Sequence, residues 1–270
     1  MNNLLLIDGH SIMNRAFYGI PMLTNHEGIH TNAIYGFINI MLKAMEDEKS
    51  DHIAVAFDLK APTFRHKMYE MYKGTRKPMP AELHEQVPVI KEILASMNIP
   101  VITLEGYEAD DILGTVGKKA QSLGYNVVIL SGDRDLLQLA DEHIKIRLPK
   151  TIKGRTEIEN YYPEDVMEKY MATPSEFIDL KALMGDSSDN IPGVPGIGEK
   201  TAMSIISKYH SIENAYEHVE ELTPAKAKNS LRENYDLAKL SKVLATIETD
   251  APVEFNIEDS AIGNIFTKEA

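Results

Sequence analysis

The sequence predicts an α/β protein, with a mainly parallel central sheet flanked by helices and a helical subdomain after it. Three observations predict this. Apolar runs of strand length alternate with stretches of helical period through the first half of the chain. Several of those runs end directly in an acid. After about residue 160 the strand signal fades, and short helices joined by a Gly/Pro hinge follow.

Each element has its own reason. Leu4-Leu5-Leu6-Ile7 reads as a buried strand. From Ala33 to Met45 a helical face carries Ile34, Phe37, Ile38, Met41, Leu42 and Met45. Ile53 to Phe57 is a second strand. Leu83, Val87, Ile90, Ile93, Leu94 and Met97 mark a helix entered or kinked at Pro88. Ile99 to Thr103 is a short strand, and Ile112, Leu113, Val116, Ala120 and Leu123 form the next helical stripe. Val127 to Leu130 is a strand, and Ile144-Lys145-Ile146 suits another. Tyr162-Pro163-Glu164-Asp165 looks like a helix entry. Asn256 to Ala270 has no clear period. The expected division is an α/β core over 1–160, a helical subdomain over 161–258, and a tail or truncated linker over 259–270.

The 270 residues contain no cysteine, which removes disulfides, thiolate metal sites and cysteine nucleophiles. That fits a cytoplasmic protein. No apolar run is long enough for a membrane span, and the N-terminus lacks the features of a signal peptide. The net charge of −13 argues against a nucleic-acid partner until its distribution is considered. Many acids gather in a few short motifs where metal ions could neutralise them, and the bases gather elsewhere.

The acids sit where strands end. Asp8 closes the first strand, Asp58 follows the second, and Val127–Leu130 leads through Ser131-Gly132 into Asp133-Arg134-Asp135. In parallel sheets those ends line the ligand crevice. Glu108-Ala109-Asp110-Asp111 opens a helix, and Asp186 and Asp189 lie in Gly185-Asp186-Ser187-Ser188-Asp189-Asn190. Taken singly, each has a plain structural reading as a turn residue, a helix N-terminal acid, an ion pair or an N-cap. Together on one edge they would repel unless a cation sits among them. Oxygen donors without cysteine point to Mg²⁺ or Mn²⁺. Two such ions about 4 Å apart clamp the attacking and leaving oxygens of a phosphodiester displacement.

Phe64 to Lys77 carries five Lys/Arg against one acid, with aromatics interleaved. That pairing suits single-stranded nucleic acid, and a solvated amphipathic helix is the plainer alternative. Pro192 to Ala202 has the form of a helix-hairpin-helix, whose glycines let backbone N–H groups approach a DNA phosphate. It almost matches a phosphate-binding Walker loop, but Glu199 splits the required Gly-Lys pair.

These residues resemble the 5′ nuclease (flap endonuclease) superfamily, and within it the N-terminal domain of bacterial DNA polymerase I and its free-standing relatives. The motifs are Leu5-Leu6-Ile7-Asp8-Gly9, Ala56-Phe57-Asp58, Tyr72-Lys73-Gly74-Thr75-Arg76, Gly106 to Asp111, Ser131 to Asp135, and Gly185 to Gly193. The resemblance implies a PIN-like or resolvase-like core, a helical arch over about 60–98, and a helix-hairpin-helix over about 185–209. It implies two Mg²⁺ or Mn²⁺ ions, the first on Asp8, Asp58, Glu108 and Asp110. The second would sit on Asp111, Asp133, Asp135, Asp186 and Asp189. Lys73 and Arg76 would reach from the arch to the scissile phosphate, and Asp8 and Asp58 would be catalytic through the metal. Arg65, Tyr69 and Tyr72 would contact the DNA single strand, with Tyr72 stacking on a flipped base. Gly193, Gly196, Gly198, Lys200 and Thr201 would hold the duplex, with a K⁺ ion on backbone carbonyls there. The implied partner is DNA with a 5′ flap or free 5′ end, met by a nucleoid-associated monomer with or without a covalently linked polymerase domain. A catalytically silent DNA-structure-binding module and a PIN-type RNase are the rival readings.

Overall fold

Leu4, Leu5, Leu6 and Ile7 are buried on both faces of strand β1 (Asn3–Asp8). A continuous apolar run of this kind belongs in the middle of a parallel sheet covered by helices. The structure, a computed structural model, describes residues 2–152 and 155–264. After β1 come α1 (Gly9–Gly19), α2 (Asn32–Glu48), β2 (His52–Ala56), α3 (Phe64–Met68), α4 (Ala81–His84) and α5 (Gln86–Ser96). Then follow β3 (Val101–Ile102), α6 (Ala109–Ser122), β4 (Asn126–Leu130), β5 (Ile144–Ile152) and β6 (Arg155–Tyr161). The rest is helical: α7 (Pro163–Tyr170), α8 (Pro174–Met184), α9 (Glu199–Tyr209), α10 (Ile212–Glu217), α11 (Ala225–Glu233) and α12 (Tyr235–Ala245).

The six strands lie in the order β3-β2-β1-β4-β5-β6. All pairs are parallel except β5 with β6. Strand order reverses at β1, so a crevice opens beyond the ends of β1 and β4. One core cluster packs α1, α2 and α5 against one face through Phe37, Met41, Ile90 and Leu94. The other joins α6 to the C-terminal helices through Ile112, Val116, Phe177, Leu180 and Ile206. The two units thus share an apolar core.

The sheet and most helices follow the periodicity, with local differences. Helix α1 and strand β6 were not expected. Helix α1 starts because the Asp8 carboxylate caps it, accepting the Ser11 N–H at 3.0 Å. Strand β6 is an edge strand held by its antiparallel ladder to β5. Leu42 and Leu123, read as core-facing, are exposed. Leu123 stands one residue past the end of α6. The start of α2 is capped from a distance, because the buried Gln86 amide oxygen accepts N–H bonds from Ala33 and Ile34. Residues 60–98, where an arch is expected, form three short helices and a run of turns over 70–75. In the region read as a tail, residues 257–264 make two 3₁₀ turns, and Ala261 bridges to His52. Residues 265–270 lie outside the described residues.

Helices α8 and α9 flank the Gly/Pro hinge. Gly193 has φ +62°, and a Cβ there would lie 2.4 Å from the Gly185 nitrogen. Only glycine allows this approach of two backbones. Gly193→Ala is expected to destabilise the fold by at least about 2 kcal/mol. Urea unfolding would check this, and an unchanged midpoint would show that the hinge relaxes freely.

Candidate active site

The site forms where the sheet delivers acids past its strand ends. Asp8, at the end of β1, is fixed at both oxygens. Oδ1 accepts the Ser11 N–H, and Oδ2 accepts the Ser131 hydroxyl at 2.7 Å. Asp58, after β2, accepts the Ala109 N–H at 2.8 Å and stands 3.4 Å from His10 Nδ1. Asp133, after β4, accepts the Asp135 N–H at 2.9 Å. Asp110 sits in the first turn of α6, where the helix N-terminus favours negative charge.

Burial and mutual repulsion act on this group together. Burial pushes the Asp8 carboxyl up to about 6 against its hydrogen bonds to Ser131 and Ser11, and the charges of Asp58 and Asp133 add to the rise. Burial, then the charges of Asp133 and Asp8, raises Asp110 well above the usual carboxylate range. Asp58 is the exception. Burial pushes it up, but His10 and the Ala109 N–H together outweigh that and hold it at about 2. The acids of separate strands therefore feel one another's charge, as a hard-cation site requires.

A second group lies beside the first. Burial and the charge of Asp133 raise Asp135 to about 7, although Lys181 opposes this. Lys181 is 6% exposed, lies 2.7 Å from Asp135 and also pairs with Asp186. Burial pushes Asp186 up, but Lys181 and Ser188 hold it at about 2. A cavity of about 270 Å³ opens here, lined by Asp133, Asp135, Lys181, Asp186 and Glu199. Sequence reading missed Lys181, Ser131 and the pairing role of His10. Lys181 lies in the last turn of α8, between Leu180 and Ala182 in an apolar stretch, and that is the signal that could have found it.

The basic turn lies down on these acids. Lys73 Nζ is 2.7 Å from Glu108 and 3.7 Å from Asp189. Arg76 pairs with Asp189. The Lys73 N–H donates to the Asp189 carbonyl at 2.8 Å. Burial would lower the Lys73 pKa, but Glu108 and Asp189 raise it. The amino group is therefore charged at neutral pH.

Four expectations are corrected. Asp111 is 0% exposed, and both its oxygens are taken. Oδ1 accepts Arg65 and the Glu248 N–H, and Oδ2 accepts Arg65 and the Glu108 N–H. It is a structural acid closed off from the crevice. Arg65 is 2% exposed and also donates to the Leu244 and Thr246 carbonyls, so it cannot meet DNA without unfolding that corner. Tyr72 is 3% exposed, and its hydroxyl donates to Glu108 at 3.0 Å and lies 3.3 Å from Asp189. Its ring is core here and is not open to stack on a base. The Gly193 N–H donates inward to the Ser241 hydroxyl at 2.9 Å. Gly196, Gly198 and Lys200 are exposed, and Thr201 is half-buried at the start of α9. Tyr69 is half-buried against Tyr72 and Ile191.

The donor set suits hard divalent cations: carboxylates from several elements, close enough to shift one another. Among the described residues, no three acids or histidines already surround a common point. The cations of Lys73, Arg76 and Lys181 hold Glu108, Asp189, Asp135 and Asp186 instead.

The electrostatics give a pH dependence. Asp8 and Asp135 bind protons more tightly folded, at about 6 and about 7, than at the ordinary value of 3.8. The stability this represents is present at acid pH and is lost as pH rises through that window. In EDTA the unfolding free energy should fall by about 3–4 kcal/mol from pH 5 to pH 7. Asp8→Asn should flatten the fall. Urea midpoints that rise across the same interval in both proteins would contradict this account.

Comparison with known proteins agrees with the architecture. The 5′-3′ exonuclease N-terminal resolvase-like domain matches residues 3–171, and the 5′-3′ exonuclease C-terminal SAM fold matches residues 172–268. DNA polymerase I of Bacillus caldotenax is 49% identical over 258 residues, which is 96% of this chain and 29% of that protein. DNA polymerase I of Bacillus subtilis is 50% identical over 254 residues, 94% of this chain and 29% of that protein. The chain thus spans under a third of the length of these relatives. T5 5′-exonuclease, solved with bound zinc, has the same fold at a TM-score of 0.74 and 24% identity, covering 92% of this chain and 90% of that one. With both family domains matched in order along nearly all of its length, this chain belongs to the 5′-3′ exonuclease family.

Proposed function

We propose that this chain is a divalent-metal-dependent 5′ nuclease that cuts DNA at flaps and free 5′ ends, removing primers and flaps in replication and repair. The observation that carries it is the meeting of two opposite features at one edge. Buried acids from separate strands repel one another there, and a basic turn brings Lys73 and Arg76 onto the same place.

Two Mg²⁺ or Mn²⁺ ions, when bound, would supply the charge that activates water and stabilises the leaving oxygen. Asp8, Asp58, Glu108 and Asp110 would hold the first, and Asp133, Asp135, Asp186 and Asp189 the second. Asp111 leaves that set because Arg65 occupies it. Lys73 and Arg76 would exchange their carboxylates for the scissile phosphate and stabilise its growing negative charge. The Lys73 amino group is already largely out of water, whereas the Arg76 side chain is half exposed. Tyr69 would meet the 5′ single strand beside them. Gly196, Gly198, Lys200 and Thr201, at the start of α9, would approach a duplex phosphate through N–H groups and charge. A K⁺ ion on the hinge carbonyls would support that contact.

The relatives' length suggests a polymerase domain linked to this one in the whole protein. The nuclease would work as a monomer on DNA at the nucleoid, in the cytoplasm. No described helix is long and apolar enough to cross a membrane.

Incubation of the protein with a 5′-labelled flap, in Mg²⁺ and in EDTA, tests the reading. A short labelled product near the junction, made only with Mg²⁺, is expected. Flap binding without cleavage in Mg²⁺ or Mn²⁺ would instead make the chain a DNA-structure-binding module. Asp58→Ala or Asp133→Ala should abolish cutting while leaving flap binding largely intact. Near-normal cleavage by either would remove that acid from the metal set. Lys73→Ala should slow the single-turnover step by about 10²–10³-fold. A weaker Kd with an unchanged rate would make Lys73 a positioning contact.

A further inference from the structure

The ladder between β1 and β4 ends at the pair Ile7 and Leu130. The acids these strands deliver, Asp8 and Asp133, lie beyond that last pair. Two serine hydroxyls continue the joint. Ser131 is 0% exposed. Its Oγ donates to Asp8 Oδ2 at 2.7 Å and accepts the Asp133 N–H at 3.0 Å. Ser11 works from the other side. Its Oγ accepts the Gly132 N–H at 2.8 Å, and its N–H donates to Asp8 Oδ1 at 3.0 Å. Each oxygen of Asp8 is thus held by one serine. The hydroxyl that holds Oδ2 also holds the backbone of Asp133. Order passes one step further, because Asp133 Oδ1 accepts the Asp135 N–H at 2.9 Å.

We propose that Ser131, supported by Ser11, is a positioning residue for divalent-cation binding, fixing Asp8 and Asp133 relative to each other. The proposal rests on the nuclease reading above. Ser131 acts through the acids, because its one proton and one lone pair are committed to them. A hydroxyl is the smallest group that can donate to a carboxylate and accept an N–H at once. Alanine would leave the Asp133 N–H and an oxygen of Asp8 without their partner in a buried place. Threonine keeps the hydroxyl. Partners one shell behind a metal ligand typically govern metal affinity by about 10–100-fold.

The test is calorimetric titration of Mn²⁺ into the DNA-free full chain, with flap cleavage followed across Mn²⁺ concentration. Ser131→Ala should raise the Mn²⁺ Kd by about 10–100-fold and raise the Mn²⁺ needed for cleavage in parallel. The KM for the flap should not move, and Ser131→Thr should restore metal affinity. Melting temperature reports whether each variant folds. Ser11→Ala, at the partly exposed start of α1, should weaken Mn²⁺ binding less. It keeps the test open if Ser131→Ala does not fold. Wild-type Mn²⁺ affinity in folded Ser131→Ala overturns the proposal. So does wild-type affinity in Ser11→Ala when Ser131→Ala is unfolded. If the unaltered protein neither binds Mn²⁺ nor cleaves the flap, the nuclease reading falls and takes the proposal with it.

Discussion

Carboxylates held together out of water repel, and most of this molecule's local design can be traced to that repulsion. Two unit charges a few ångströms apart interact far more strongly in a protein than in bulk water. The chain nevertheless gathers Asp8, Asp58, Asp110 and Asp133 at one edge, where the charges of their neighbours help to raise the proton affinity of Asp8 and Asp110. Four cations pair with the acids around this group. Arg65 is locked onto Asp111, Lys181 bridges Asp135 and Asp186, and Lys73 and Arg76 come in on a turn. The first two are buried and belong to the scaffold. The last two are on a segment joined to the opposite loop by one backbone bond and a few side chains. That difference separates structural from exchangeable charge.

How much of this was legible in the sequence depends on the range of the interaction involved. Strands β1, β2 and β4 were legible because their burial is written in contiguous residues, and the acid that follows each is its neighbour. The crevice at their ends follows from parallel topology. Partners far apart in sequence were not legible. Asp111 looks like one more member of an acid cluster until Arg65, 46 residues away, is found on both its oxygens. Tyr72 looks like an exposed ring in a basic stretch, because nothing local shows that Asp189, 117 residues on, faces its hydroxyl. Strand β6 depends on its ladder to β5, and helix α1 on the cap that Asp8 supplies. In each case a tertiary contact decided what the local pattern left open.

The hinge between α8 and α9 shows the same limit in another form. Its glycines read as places where a phosphate can approach the backbone. Gly193 is used for the approach of a different backbone, that of Gly185, and its N–H is spent on Ser241. Gly196 and Gly198 face solvent. A run of glycines says that something comes close. Whether that something is the ligand or the chain itself depends on what the fold brings to each one.

Arg65 shows why the edge and the helical unit behave as one object. Its guanidinium reaches the Asp111 carboxylate in α6 and the carbonyls of Leu244 and Thr246 at the end of α12. It is itself part of α3, just ahead of the turn that carries Lys73. Removing one partner of such a buried pair leaves the other charge uncompensated, which typically costs about 3–5 kcal/mol. The start of α6, which presents Glu108 and Asp110 to the crevice, is therefore held by the same group that anchors the base of the basic turn. A displacement of the turn large enough to move Arg65 would disturb the acids as well. A displacement confined to residues 71–76 would release Glu108 and Asp189 from Tyr72, Lys73 and Arg76 but leave the Arg65–Asp111 anchor in place. The exchangeable cations are thus mounted on a base that cannot move independently of the acids they serve.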